Sequence, residues 1–460
     1  MGNKARAEEL EDGRHRRHAV PRSDHAVWEA PSTRPDPVDV IDRQNRTRLT
    51  DLVPVRIGRM VQSPFAFLRG ASLVMAHDLA TTPDTGVDVQ VCGDAHVANF
   101  GLFGSPEGNL LFDVNDFDDT DVGPWEWDVK RLCASAAVVG LVAGRARADQ
   151  EAVGRAAATS YRKHMAQYAS MGELDLWSET VDAQAAVRIV GAASPGIRLE
   201  ARADARTAAH RTDAGLLPQI AAVAPDGARL IVDRPPVISH DFVEEHRRLL
   251  QEVTASYLPS LEDDRRALVG RFEVVDFALK VVGVSSVGTR CFLALLLDEA
   301  KQPLLLQVKE AERSALEQVG RAVQVPGRHK GSGLQGRRVV DGQRRLQAAS
   351  DVFLGWAGAE GFDYYVRRLR DHKGGVDVTT LGQGALVDYA ALCGWVLARA
   401  HARSAGAGSA ARIAGYLGGS EAFEDALGRF GSAYAEQTER DHAALVAAVR
   451  AGRLPADTGA

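Results

Sequence analysis

VDVQVCGDAHVANFG (87–101) and NLLFDVNDFDDTDVGP (109–124) decide how this chain is read. Each opens on a short apolar run, VDVQVC (87–92) and NLLFDV (109–114), whose β-branched and aromatic content predicts a strand. Each run then gives way to a loop, GDAHVANFG (93–101) and NDFDDTDVGP (115–124). WEWDVKRLCASAAVVGLVAGRA (125–146) follows and predicts a long apolar helix. The loops carry the chemistry. Asp94 stands five residues before Asn99, and Asp116 lies in the second loop. A D-x-x-x-x-N element followed by a separate Asp meets the needs of kinase-type phosphoryl transfer. One carboxylate accepts the proton of an acceptor hydroxyl, while an amide oxygen and a second carboxylate hold Mg²⁺ against the triphosphate of ATP. Oxygen ligands suit this hard cation, and few are required because it keeps water and phosphate in its shell. Asp94 is therefore the candidate general base, Asn99 and Asp116 the candidate metal ligands, and Asp118 an additional one. His96 reads as orienting backbone; Asp113, Asp119 and Asp121 read as structural or solvated. These residue types also build ordinary surface turns, so the whole G-D-x-H-x-x-N spacing carries the weight, not Asp94 alone.

Working outward, the texture changes near Arg271. FEVVDFALKVVGV (272–284), RCFLALLL (290–297) and PLLLQVK (303–309) predict three consecutive antiparallel strands. GVSSVG (283–288) joins the first two, and Gly283 and Gly288 would let the backbone around Ser285 and Ser286 approach a ligand closely. Lys309 ends an otherwise apolar strand. A lone buried ammonium is costly, so a phosphate-clamping role with a carboxylate partner accounts for it, as in the V-A-I-K signature. Snorkelling to water is the plain alternative. Glu317 is the first choice of partner and Asp341 the competitor. RHKGSGLQGRR (328–338) reads as an exposed loop or a lid over ATP, and FDYYVRRLR (362–370) as a further strand.

The rest of the chain predicts helices over 41–82, with a break at Ser63–Pro64, and over 149–171, 240–256, 386–404 and 421–450. Residues 1–40, polar and interrupted by prolines, read as a mobile, disordered arm. The division is an arm (1–40), a helical lobe with the catalytic and metal-binding loops (41–270), a small β-rich nucleotide-binding lobe (271–376) and C-terminal helices completing the helical lobe (377–460). The fold class is α+β. Arg56, Arg59 and Arg69 form a small basic set that reads first as a solvated helix face or salt bridge, with a phosphate or acidic-substrate contact as the alternative; Trp125 and Trp127 read as core aromatics, and His401 as a satisfied core histidine. With 45% hydrophobic and 25% charged residues over 460 positions, the composition is that of a globular protein. A net charge of −6 lacks the footprint of a nucleic-acid binder. No apolar run is long enough to span a bilayer, so no membrane partner is expected. Cys92, Cys133, Cys291 and Cys393 form no CxxC pair, which fits reduced thiols and a cytoplasmic location.

CGDAHVANFG, LLFDVNDFDDTDVGPWEWDVKRL, LLLQVKEA and VLARAHARS together resemble the bacterial domain-of-unknown-function 2252 family over nearly the whole chain after residue 40. The same segments are similar to the aminoglycoside-phosphotransferase branch of the protein-kinase-like fold, which reads H-G-D-x-H-x-x-N, then I-D-[FW]-[ED]-[DE]-A, then a helix with D-L-A. Gly93, Asp94, His96 and Asn99 match the first element, Asp116, Phe117, Asp118 and Asp119 the second, and Asp128 the helix aspartate. Cys92 replaces the first His. The order also differs, because the glycine turn and Lys309 follow the catalytic loop instead of preceding it. The resemblance therefore implies a circularly permuted two-lobed kinase-like fold. It also implies an ATP- and Mg²⁺-dependent phosphotransferase acting on a small hydroxyl-bearing molecule or a protein acceptor. A nucleotide-binding pseudokinase or scaffold, and a metal-dependent hydrolase built on the carboxylates alone, are the alternatives.

Overall fold

The computed structural model describes residues 3–193, 217–218, 220–223, 229–241, 243–281, 283–323, 334–369 and 376–459. Much of the loop at 328–338 lies outside the described residues. Besides a single helical turn at Ala315–Gln318, the helices are α1 (Asn3–Ala19), α2 (Pro37–Asn45), α3 (Val53–Met60), α4 (Pro64–Gly70), α5 (Ser72–Leu79), α6 (Trp125–Val142), α7 (Arg147–Tyr168), α8 (Glu173–Ser178), α9 (Ala183–Ala193), α10 (Val243–Tyr257), α11 (Asp263–Val269), α12 (Leu334–Leu346), α13 (Gln383–Leu417) and α14 (Ala422–Arg450). The strands are β1 (Asp88–Val91), β2 (Phe100–Gly104), β3 (Leu110–Val114), β4 (Asp121–Pro124), β5 (Ala221–Val223), β6 (Arg229–Ile231), β7 (Ile238–Ser239), β8 (Glu273–Lys280), β9 (Cys291–Leu297), β10 (Pro303–Glu310), β11 (Gly355–Ala359) and β12 (Phe362–Arg368). The architecture is α+β, with small antiparallel sheets and a larger helical part.

Every residue of β9 is buried, which requires cover on both faces of the sheet. β9 lies inside an antiparallel sheet of order β11-β12-β10-β9-β8-β7. One set of alternating side chains, Phe292, Ala294, Leu296, Leu304, Leu306, Val308, Tyr364 and Val366, packs with Leu249, Leu250, Val253 and Tyr257 of α10. On the other face, Leu293, Leu295, Leu297 and Leu305 pack with Ile220, Ala221 and Ile231 around the β5–β6 hairpin. α10 therefore belongs to the small lobe and β7 joins its sheet, so the lobe begins before residue 271, the boundary the sequence suggested. The texture change at Arg271 marked the first long strand, not the first element. Further along that second face, Gln307, Lys309, Tyr365 and Arg367 take the same side, because Lys309 is in register with Tyr365 and Gln307 with Arg367.

The helical part is built around α6, buried continuously from Trp125 to Gly140. A helix buried on every side, its Glu126, Asp128, Lys130 and Arg131 included, must be covered all round, and α7, α13 and α14 supply that cover. Small residues allow close approach: a Cβ on Gly394 of α13 would lie 2.2 Å from the carbonyl oxygen of Ala157 in α7. Trp125 and Trp127 are core residues, as expected. The N-terminal 40 residues are not a loose arm. α1 packs along α13, with Gly13 against the Arg412 carbonyl. Arg6 donates to Met171 O at 2.8 Å, and Arg17 Nε to Tyr416 O at 2.7 Å. Arg34 bridges Asp78 of α5 and Asp441 of α14. Polar composition misled here because the arginines spend their charge on helix-end carbonyls and buried carboxylates. The C-terminal end returns to the same region: Asp457 N donates to Pro54 O at 2.8 Å, and Arg453 pairs with Asp39. Among the described residues no helix is long and apolar enough to cross a membrane.

Candidate functional site

The two loops named by the sequence meet at one cleft. β1 pairs with β4 and β2 with β3, so both loops leave short ladders at the N-terminal end of α6. The sequence reading missed β2 and β4, each only a few residues long and carrying glycine. Asp128, in the first turn of α6, accepts Cys92 N at 2.6 Å and Gly93 N at 3.0 Å. His401 Nε2 lies 3.1 Å from the same carboxylate, and its Nδ1 lies 2.9 Å from Tyr161 Oη. His401 is thus the satisfied core histidine expected. The loop start is held by a buried carboxylate accepting two successive backbone N–H groups. Gly93 has φ +81°, and a Cβ there would meet Asp119 O at 2.0 Å. Only glycine lets the two acidic loops touch at this point.

Asp94 is 8% exposed and lines the cleft with Asp116, Asp118 and Asp119. Arg131 Nε donates to Asp94 Oδ1 at 2.8 Å. Burial pushes the Asp94 carboxyl up to about 6, opposed by Arg131 and reinforced by Asp119 and Asp116. Asn99 Nδ2 donates to Asp94 O at 2.7 Å. The amide is thereby fixed, and its oxygen is the atom left for a cation. Asp116 Oδ1 accepts Asp118 N at 3.3 Å. Among the described residues no cluster of three or more His, Cys, Asp or Glu side chains is assembled as a metal cage. An amide oxygen such as that of Asn99 and a carboxylate such as that of Asp116 would suit Mg²⁺, which takes the remainder of its shell from water and phosphate, better than a metal needing a full protein cage.

Across the cleft stands Lys309, 2% exposed. Its ammonium pairs with Asp118 Oδ2. Burial lowers its pKa, but Asp118, Tyr365 and Asp116 outweigh that and hold it above the ordinary lysine value. Tyr365 Oη donates to Asp118 Oδ1 at 2.7 Å, and Ser286 Oγ to Asp118 Oδ2 at 3.3 Å. Two expectations are corrected here. The partner of Lys309 is neither Glu317 nor Asp341. Glu317 pairs with Arg313 at 2.9 Å and Asp341 with Arg337 at 3.5 Å, because both lie on helical segments whose neighbouring arginines take them first. Asp118, expected as an additional metal ligand, shares its oxygens among Lys309, Tyr365 and Ser286.

Gly283 and Gly288 have φ +64° and +87°, as a tight turn between β8 and β9 demands. Ser285 and Ser286 line the cleft. The turn is pinned down by the helical part: Arg59 donates to Gly283 O, Arg48 to Val287 O and Leu49 N to Gly288 O, at 2.6, 2.6 and 2.7 Å. Arg338 of α12 ties the acidic loop to the sheet, donating at 2.8 Å to both Asp118 O and Glu312 O. The cleft so formed has a free volume of about 60 Å³. Small-molecule pockets typically offer ~300–1,000 Å³, so the cleft is narrower than such a pocket.

Sequence reasoning missed Arg131, Arg48, Arg338 and Tyr365. Arg131 could have been found, since it follows Asp128 by three residues on α6 and so shares its face. Tyr365 alternates with Arg367 on a strand in register with Lys309. Arg48 carried no local signal. Arg56, read as part of a solvated face, is 1% exposed.

A family model described as an uncharacterised protein conserved in bacteria, DUF2252, matches residues 48–448. No curated protein and no solved structure matches the chain.

Proposed function

We propose, for a chain that belongs to the DUF2252 family of bacterial proteins, an ATP- and Mg²⁺-dependent phosphotransferase with a circularly permuted kinase-like fold. One observation carries this reading: Lys309, from a small antiparallel sheet, meets the acidic loop 191 residues earlier in the chain, in a cleft that also holds Asp94 and Asp116. The two sets of candidate residues, found separately in the sequence, converge, which supports a phosphoryl-transfer site. The contact of the C-terminal end with residues near Pro54 supports the permutation, since it brings the two ends of the helical part together.

In this reading Asp94 takes the proton of the acceptor hydroxyl. Its carboxyl near 6 is ionised at neutral pH yet basic enough to be useful. Arg131 aims it, Asp128 fixes the backbone on which it rides, and Lys309 offers its charge to the nucleotide phosphates once released from Asp118. Asn99 and Asp116 would hold Mg²⁺, which supplies charge neutralisation on the phosphate oxygens. Ser285 and Ser286 lie where the turn would cover those phosphates.

The test is ATP turnover with Mg²⁺ in wild type and Asp94→Asn. The account expects nucleotide to bind both, with turnover lowered ~10²–10⁴-fold in the variant, the usual worth of general-base assistance. Binding without turnover in wild type would favour a pseudokinase. Metal-dependent hydrolysis without ATP binding would favour a hydrolase.

A further inference from the structure

Three arginines stand in or beside the cleft, whose lining also carries Asp94, Asp116, Asp118, Asp119, Glu310 and Glu312. Arg56 lines it, and its hydrogen bonds run to neutral groups: Asn45 Oδ1 at 2.6 Å, Gly70 O at 2.9 Å and Gln44 Oε1 at 3.4 Å. Arg48 lines it too, giving Nη1 to Val287 O, with Nη2 3.6 Å from Glu312. Arg69 adds a third charge, felt by Asp94 and Asp116. The Nε atoms of Arg48, Arg56 and Arg69 are all buried without a hydrogen-bond partner. Arg48 has Glu312 beside it and Arg69 feels Asp94 and Asp116. Arg56 has no carboxylate within ion-pair distance among the described residues, which is costly for a buried cation; Arg48 repels it, against a smaller pull from Glu312. Burial first, then that repulsion, holds Arg56 well below the ordinary arginine value. A fold keeps such a group where an anion completes it, and a guanidinium matches the oxygens of phosphate or carboxylate. About 60 Å³ of free volume is room for roughly two waters, so what fits there is a single small group.

Lys309 reaches the cleft from the sheet, where it pairs with Asp118, and is the clamp for the nucleotide. We propose that Arg56, with Arg48 and Arg69, forms an oxyanion pocket for the acceptor, so that the hydroxyl-bearing substrate carries a phosphate or carboxylate group. This rests on the phosphotransferase reading and names its substrate class. It departs from the cationic sugars of the branch that the motifs resemble. In the step itself the acceptor oxygen forms a bond to the γ-phosphorus of ATP and the bond from that phosphorus to the β-bridging oxygen breaks. The electron pair leaves on ADP, and the hydroxyl proton passes to Asp94.

The test has two arms. Inorganic phosphate is titrated calorimetrically into the full chain, alone and saturated with Mg²⁺ and ADP, for wild type, Arg56→Gln and Arg69→Gln. Phosphate should bind in both states, and each variant should weaken it by ~10–100-fold, the loss of one charge-assisted hydrogen bond. Circular dichroism checks folding; Arg69, less buried, carries the test if Arg56→Gln does not fold. In the second arm, labelled ATP is offered glycerol 3-phosphate, glycerate, glycerol or glucosamine. Transfer should run to the two anionic compounds over the neutral and cationic ones, and comparing those two separates a phosphate from a carboxylate preference. The proposal is overturned if neither variant alters phosphate binding, or if glycerol or glucosamine is preferred. Phosphate binding that vanishes once nucleotide is present also overturns it, because the arginines then serve the nucleotide. If nucleotide itself fails to bind, the phosphotransferase reading falls, while phosphate binding to the nucleotide-free protein still reads the arginines.

Discussion

Replacing Asp94 with Asn should make the protein more stable at neutral pH while disabling it. Burial raises the carboxyl from its ordinary 3.8 to about 6, which corresponds to ~3 kcal/mol of penalty on the ionised form. In the window between those two values the folded protein holds the proton that the unfolded chain releases. Stability therefore falls as pH rises through the window, and the full cost stands above pH 6. Asn resembles the protonated acid and escapes that cost, although Arg131 then faces a neutral partner. At ~2.1 cal/mol/K per residue of unfolding entropy, a chain of this length gains ~1 °C per kcal/mol, so the Tm of Asp94→Asn should exceed wild type by roughly 2–3 °C at pH 7.5. Calorimetry across pH 4–8 is the assay. The gain should shrink steadily below pH 6 and vanish near pH 4, where wild type is protonated too. A variant that is less stable at pH 7.5, or a difference that does not vary with pH, would refute the claim that Asp94 is an ionised carboxylate held against its solvation preference.

Other substitutions read the remaining parts. Lys309→Met should lower ATP affinity ~10–100-fold in a fluorescent-nucleotide titration, since one charged contact is lost; an unchanged affinity removes the clamp. Asp128→Ala strands the N–H groups of Cys92 and Gly93 together with His401, and should cost ~3–5 kcal/mol in a denaturant midpoint series. Its near-neutrality would mean the Asp94 loop is held elsewhere. Deleting residues 1–19 removes the Arg6 and Arg17 bonds to helix-end carbonyls, a loss of about 3 kcal/mol, and should lower Tm, whereas an arm without contacts would leave it unchanged.

What could be read from the chain alone was the part written in local pattern. β8, β9 and β10 declared themselves as successive apolar runs, and α6, α7, α10, α13 and α14 as long helical stretches. Asp94, Asn99, Asp116 and Lys309 were legible because their spacing is local and chemically unusual. The partner of Lys309 was not, because an ion pair spanning 191 residues leaves no trace in neighbouring sequence. Glu317 was a reasonable choice by proximity, yet Arg313 stands four residues away from it on the same turn. The N-terminal segment failed for a related reason. Its prolines and charges look like a solvated arm, but Arg17 and Arg22 reach the last carbonyls of α13, and His25 is fully buried beside Tyr416. Long-range burial of charge overrides composition in this protein, at both Arg56 and Arg34.

The most direct test of the central claim is an ATP titration with and without Mg²⁺, on wild type and Asp116→Asn. The account predicts nucleotide binding that strengthens with Mg²⁺ in wild type, with the Mg²⁺-dependent gain lost in the variant. ATP that does not bind, or binds equally to both proteins in the presence of Mg²⁺, would contradict it.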